Sequence, residues 1–467
     1  MLGEQGNIIR FETFRETKRT LNKIAITEKT NVHFNTKALH SGYNSQDHQK
    51  CLSPPIYQTT SYEFESIEAG RQLNSGEKQG HIYSRVSNPT IDILEKKVAS
   101  LEGGLAAVAC ASGHAAQFLV LNNLLSTGDH MISSPYLYGG TYHQFHEQLP
   151  RLGIEVTFCD PSNFNLIRNS VQKNTKLIYA ESMGNPELNP IDIKILSEIA
   201  HANDIPLVID NTLGCCGYLI KPLVNGADIV LESLTKWAGG HGNSVGGIIV
   251  DSGRFDWSSG KFTHFTEKND HTKRSIWDDW GYGAEKCQQL NIPFYLNPAF
   301  INRVKTETLR DWGPCISPFN AYQILQGIET LALRTERSCT NALEIAKILE
   351  KNVLVETIRY PGLENDKYHA EAQKILKNGY GSIITFEPKG GYEAAEKIIE
   401  NVNIFKHAAN IGDSKSLILH PASTTHYQLT EREKHEAGVT ESMIRLSIGI
   451  EYVNDLIEDL TDAIQST

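Results

Sequence analysis

The chain has 467 residues, 40% of them apolar and 21% charged, which suits a globular protein of two or three domains at about 100–200 residues each. A net charge of −11 lends no support to a general nucleic-acid or anionic-membrane role, and no apolar run is long enough to span a bilayer. The eight cysteines show no CxxC and no Cys/His spacing of the zinc type, so no metal site is expected and the thiols read as reduced, in a cytoplasmic protein.

Residues 1–32 form a polar N-terminal extension. Arg10, Arg15, Lys18 and Arg19 hint at a transit peptide, but Glu4, Glu12, Glu16 and Glu28 oppose one, since such peptides are acid-poor. Residues 33–90, with Pro54, Pro55, Gln58, Thr59 and Thr60, lack clean periodicity and read as an arm that packs on a neighbouring subunit. A larger domain follows over 91–315. Short apolar runs near 106–110, 130–134, 154–159, 176–181, 206–210, 228–232 and 246–250 predict seven buried strands. Helical spacing between them, as at Phe118, Leu121, Leu124 and Leu125 or at Ile195, Leu196, Ile199 and Ala200, predicts an α/β fold with a mostly parallel sheet. Within this domain, about 252–305 reads as an aromatic insertion or lid, with Trp257, Trp277, Trp280, Tyr282 and Tyr295. Residues 316–467 predict a smaller α+β domain: a long helical pattern from Pro318 to about 351, strands at 355–360, 381–387 and 443–450, and helices at 391–402 and 453–465.

Ligands of parallel sheets sit at the carboxyl ends of the strands, so the residues just after each strand matter most. Ser233-Leu234-Thr235-Lys236 follows one strand and precedes the glycines 239, 240 and 242. A desolvated lysine there is a nucleophile or base, the glycines allow a bulky ligand to approach, and the hydroxyls can bind a phosphate. Asp210 ends another strand, where a carboxylate can hold a pyridine nitrogen protonated. Ser112 is a good N-cap, placing the amides of Gly113 and His114 at a helix N-terminus suited to an anion. Tyr138, before Gly139 and Gly140, can stack on a flat ring; Asn185, before Pro186, can bond a phenolic oxygen; Tyr83 and Arg85 offer a phenol and a phosphate-binding guanidinium in the arm. Taken singly, each has a plain structural alternative: a solvated lysine, a turn aspartate, an ordinary capped helix, a surface tyrosine, a rim salt bridge.

Together and in this order, they resemble the Cys/Met-metabolism family of pyridoxal 5′-phosphate (PLP) enzymes, over roughly residues 34–467. The resemblance implies the aspartate-aminotransferase type I fold with a seven-stranded sheet. It also implies roles. Lys236 matches the lysine that bonds the cofactor aldehyde, Asp210 the partner of the ring nitrogen, Tyr138 the stacking ring and Asn185 the partner of the phenolic oxygen. Ser112, Gly113, His114, Ser233 and Thr235 match the phosphate cradle, and Tyr83 and Arg85 match residues reaching the phosphate of a neighbouring subunit. Arg445 and Asn410 match contacts to the substrate α-carboxylate. Lys236, Tyr138 and Asp210 are thus the expected catalytic set, in a homotetramer built from dimers with shared sites.

Within that family, Asn410-Ile411-Gly412-Asp413, the stretches Thr308–Pro314 and Ser317–Ala321, and Leu325–Leu331 look like the O-acetylhomoserine sulfhydrylase branch. That branch implies γ-replacement: O-acetyl-L-homoserine and sulfide give L-homocysteine and acetate. A γ-lyase, a cystathionine γ-synthase or a catalytically silent PLP-binding regulator are the alternatives. A nucleotide-binding protein is disfavoured by the absence of GxxxxGK[ST] and of a strand-to-helix GxGxxG. Departures from the usual pattern are His114, Glu232-Ser233-Leu234 in place of His-Ser-Ala, Ser338 in Glu336-Arg337-Ser338, and a longer segment 267–298.

Overall fold

The computed structural model describes residues 32–75, 78, 80–268, 275–277 and 297–467. The extension 1–31, Trp280, Tyr282, Tyr295 and most of the segment 267–298 therefore lie outside the described residues.

Seven strands form the larger sheet: β1 Ala106–Cys110, β2 His130–Ser133, β3 Glu155–Phe158, β4 Thr175–Glu181, β5 Leu207–Asp210, β6 Ile229–Ser233 and β7 Gly247–Asp251, in the order β1-β7-β6-β5-β4-β2-β3. Pairings among β2, β3, β4, β5 and β6 are parallel, and β7 runs antiparallel to both β6 and β1. β4, β5, β6 and β7 are almost wholly buried, which is why they read as unbroken apolar runs rather than as alternating ones. The protein thus has the fold class that the sequence implies, with helices such as Gly113–Leu124 and Ile193–His201 linking the strands.

The second sheet has five strands: β8 Val355–Arg359, β9 Ile383–Pro388, β10 Lys406–His407, β11 Leu417–Leu419 and β12 Ile444–Ser447, in the order β10-β11-β12-β9-β8. Its core packs Ile384, Phe386, Ile444 and Leu446 against Leu456, Leu460 and Ile464 of the helix Val453–Gln465 and against the helix Gly391–Asn401.

Two expectations need correction, and two short strands lie beyond what the sequence pattern reveals. The long pattern after Pro318 is two helices, Pro318–Glu329 and Leu331–Lys351, broken at Thr330. β10 and β11 have two and three residues, too short for a periodic signal. Trp257 is not part of a lid: it is 0% exposed and packs its ring 5.1 Å from Phe300 and 5.2 Å from Phe262. No helix among the described residues is long and apolar enough to cross a membrane.

Candidate active site

The site grows from the carboxyl ends of β4, β5 and β6. Asp210 and Glu181 are paired neighbours at the ends of β5 and β4. The Thr212 amide and hydroxyl both donate to Asp210 Oδ1, at 2.9 and 2.6 Å. Thr212 Oγ1 in turn accepts from the Ser233 amide at 2.9 Å, so one hydroxyl ties the ends of β5 and β6 together. Burial pushes the Asp210 carboxyl up; Thr212, His114 and Tyr179 act in the opposite direction and favour its charge. Glu181 is pushed well up too, by burial and then by the charge of Asp210.

After β6 the chain enters the tight turn that carries Lys236. The Gly239 amide donates to Leu234 O and the Gly240 amide to Lys236 O. Arg334 clamps the turn by donating to Trp237 O at 2.9 Å and Gly327 O at 2.6 Å. Gly240 has φ +67°, and a Cβ there would lie 1.8 Å from Arg334 Nη1, so only glycine fits. Lys236 Nζ donates to Asn410 Oδ1 at 2.7 Å and has no carboxylate partner among the described residues. Burial, reinforced by the charge of Arg445, lowers its pKa to about 8. A neutral amine is therefore accessible near neutral pH, the state a nucleophile or proton acceptor needs.

The helix Gly113–Leu124 starts beside Ser233, with Ser112 capping it by accepting from the Ala115 amide at 3.1 Å. A Cβ on Gly113 would stand 2.7 Å from Ser233 Cβ and 3.2 Å from its Oγ. Glycine thus keeps the helix's free amides and the Ser233 hydroxyl close together, a cradle for an anion. Thr235 is used differently: its hydroxyl bonds Gly246, accepting from the amide at 3.1 Å and donating to the carbonyl at 3.3 Å. Tyr138 is anchored through its amide, which donates to Glu181 Oε1 at 2.6 Å, and its ring stands edge-on to His114 at 5.6 Å. A Cβ on Gly140 would reach within 2.7 Å of Tyr138 Cε1, so that glycine leaves room for the ring.

The second sheet supplies the opposite wall. Arg445 of β12 is 3% exposed and has no carboxylate partner among the described residues. It donates to Asn185 Oδ1 at 3.2 Å and to Asn410 O at 3.5 Å. Burial lowers its pKa to about 10, so it stays charged at neutral pH. Asn410 sits in a loop whose Gly412 has φ +70° and packs on Trp237, where a Cβ would come within 2.6 Å of the indole.

The structure therefore brings Lys236, Asp210, Ser112, Gly113, His114, Tyr138, Asn185, Ser233, Thr235, Asn410 and Arg445 to one place. Asn185 engages Arg445, and Asn410 engages Lys236 through its side chain and Arg445 through its carbonyl. Tyr83 and Arg85 stand apart: Tyr83 is 43% exposed, Arg85 lies 5.2 Å over its ring, and neither bonds a residue of this cluster. Two residues of the site escaped the sequence. Glu181 was visible only as a strand-ending carboxylate beside Asn185. His426 is 1% exposed beside Gly139 and Arg445, with a pKa lowered to about 4 by burial and then by the charge of Arg445.

A buried arginine and a half-buried amine, neither with a carboxylate partner among the described residues, and a cleared helix N-terminus fit a phosphorylated aldehyde cofactor and a carboxylate-bearing substrate. The class of protein so defined is the PLP-dependent enzymes of aspartate-aminotransferase type I fold. Residues 35–465 match the model of the family described as Cys/Met metabolism PLP-dependent enzyme, and the chain belongs to that family. It is 47% identical over 433 residues to an O-acetyl-L-homoserine sulfhydrylase of Leptospira meyeri, covering 92% of this chain and 96% of the relative. It is 43% identical to a homocysteine synthase of Schizosaccharomyces pombe, covering 93% and 98% of the two chains. Among solved structures, a Campylobacter jejuni protein described as an O-acetylhomoserine (thiol)-lyase, bearing N′-pyridoxyl-lysine-5′-monophosphate, superposes with a TM-score of 0.87 at 36% identity, covering 93% of this chain and 100% of that one. Pyridoxal phosphate is accordingly the cofactor of this enzyme.

Proposed function

We propose that the enzyme catalyses γ-replacement, converting O-acetyl-L-homoserine and sulfide to L-homocysteine and acetate. The observation that carries this reading is the facing pair of a half-buried amine, Lys236, and a buried guanidinium, Arg445, neither with a carboxylate partner among the described residues. The names and identities of the relatives support the same substrates.

Lys236 would bond the cofactor aldehyde, Asp210 would face its ring nitrogen and Tyr138 its ring plane. Ser112, Gly113, His114, Ser233 and Thr235 would surround its phosphate, and Asn185 its phenolic oxygen. When bound, the cofactor supplies an electron sink conjugated to the substrate Cα. Arg445, with Asn410, binds the substrate α-carboxylate through its planar fork and fixes which Cα bond faces Lys236. Lys236 takes the Cα proton and returns it, moving protons along Cα and Cβ with its amine near its own pKa. Glu181 keeps the Tyr138 backbone in place by accepting from its amide. The bond broken is Cγ–O, with acetate leaving with the electron pair; the bond formed is Cγ–S, from sulfide.

Tyr83 and Arg85, exposed and paired with each other, would complete the phosphate site of a neighbouring subunit, in a cytoplasmic homotetramer of dimers. The test is homocysteine formation by the holoenzyme from O-acetylhomoserine with sulfide. Dependence on both reactants supports the reading. Release of 2-oxobutanoate, or reaction only with cysteine as acceptor, replaces it with a γ-lyase or a cystathionine γ-synthase.

A further inference from the structure

Beside the cofactor floor lie two carboxyls that the proposed reaction does not use. Glu102 ends the helix Pro89–Glu102, and Glu232 is the residue of β6 immediately before Ser233. They are 0% and 2% exposed. Asn211 Nδ2 donates to Glu102 Oε1 at 2.7 Å, and the Cys216 amide donates to Glu232 Oε2 at 3.2 Å. Glu102 Oε2 and Glu232 Oε1 are buried with no donor to accept from, and the two side chains lie within hydrogen-bond reach of each other. Neither forms an ion pair among the described residues. The other titratable groups facing the pair are Asp210 from β5, and Cys215, Cys216 and Lys221 from the chain that follows it.

Two carboxylates so close and so dry cannot both ionise. One shared proton resolves the mismatch, because a neutral acid donates where a carboxylate accepts. Burial raises both groups, and each raises or bonds the other, so the pair holds one proton between its two unsatisfied oxygens. The pair also has mechanical reach. Asn211, 0% exposed, follows Asp210 and donates its amide to Leu231 O at 2.9 Å and its side chain to Ile220 O at 3.0 Å as well as to Glu102. Glu232 precedes Ser233, whose amide meets the same Thr212 hydroxyl that binds Asp210.

We propose that Glu232 is a positioning residue: it shares one proton with Glu102, and through Asn211 and the Ser233 backbone holds Asp210 and the phosphate end of the cofactor site in register. This rests on the assignment of Asp210 and Ser233 to the cofactor. A carboxyl whose folded pKa exceeds its unfolded one binds a proton that the unfolded chain has lost, so its stabilising pairing weakens as pH rises through the raised folded value. Glutamine at either position supplies a permanent N–H donor and leaves one carboxylate, so the hydrogen bond no longer needs the shared proton.

The experiment compares wild type, Glu232→Gln, Glu102→Gln and Glu232→Leu from about pH 6 to about pH 9.5. It reads cofactor dissociation by visible absorbance and the thermal midpoint of the proteins with and without cofactor. Wild type is expected to loosen its cofactor by about tenfold over that range and to lose thermal stability in parallel. Both glutamine variants keep neutral-pH affinity within about threefold and show flatter profiles, whereas Glu232→Leu loses about tenfold at every pH. The proposal is overturned if Glu232→Gln binds as weakly as Glu232→Leu, if Glu232→Leu binds as wild type does, or if wild type and glutamine variants share one pH profile. A wild type that takes up no cofactor contradicts the functional reading instead, and the midpoints of the cofactor-free proteins still decide the proton sharing.

Discussion

Lys236 and Lys305 both withdraw from bulk water, yet their ammonium groups meet different neighbours. Lys305 Nζ lies 2.9 Å from Glu95 and 3.4 Å from Asp92. Burial works against its charge, but the two carboxylates outweigh it and push its pKa up. Among the described residues Lys236 bonds only the neutral oxygen of Asn410, and burial, with Arg445 adding repulsion, lowers its pKa to about 8. The first is a cation locked in place beside the helix Pro89–Glu102; the second is an amine kept free to react. The difference lies in the presence or absence of carboxylates, not in burial, and it separates a structural lysine from a chemical one.

Replacing each lysine sharpens the contrast. Lys236→Ala is expected to lower turnover by roughly ten-thousand-fold in the homocysteine assay while leaving the thermal midpoint of the cofactor-free protein near wild type. Arg445→Ala removes a charge-assisted fork and should lower kcat/KM by about a hundredfold, near 3 kcal/mol; Arg445→Lys should recover only part, since one ammonium cannot make two parallel bonds. Lys305→Met leaves Glu95 and Asp92 without their cation and should cost about 3 kcal/mol of stability in denaturant unfolding, with little effect on activity per folded molecule.

A pH series probes Lys236 without mutation. Its lowered pKa means that the reactive neutral amine accumulates as pH rises toward about 8. Cofactor capture by the cofactor-free protein, followed by stopped-flow absorbance, should accelerate up to about pH 8 and then level. A profile still rising steeply above about pH 10 would give Lys236 an ordinary lysine environment. The smallest expected effect is that of Asn410→Ala, which removes the Nζ acceptor and should change the capture rate by only a few-fold, about 1 kcal/mol.

Much of the architecture was legible from the residues. The seven strands of the larger sheet could be read because buried strands are short apolar runs closed by turn residues, and the ends of five of them then pointed to candidate site residues. What could not be read depends on pairings distant in sequence. The antiparallel course of β7 follows from its partners β1 and β6 and not from its own apolar run. Thr330 interrupts a helical pattern without any proline to mark it. Glu181, Glu232 and Glu102 look like ordinary carboxylates until the fold places Glu181 beside Asp210 and Glu232 beside Glu102; the Glu232 departure was visible, but its partner lies 130 positions earlier in the chain and on a helix. Asn410 is the instructive case among the chosen residues: the sequence pattern pointed it at a substrate carboxylate, and its side chain meets Lys236 while its carbonyl meets Arg445.

The most direct test is to reduce the holoenzyme with borohydride, digest it and locate the modified peptide by mass spectrometry. The account predicts loss of the visible absorbance and a single pyridoxyl group on Lys236. A pyridoxyl group on another lysine, or none on any, would contradict it.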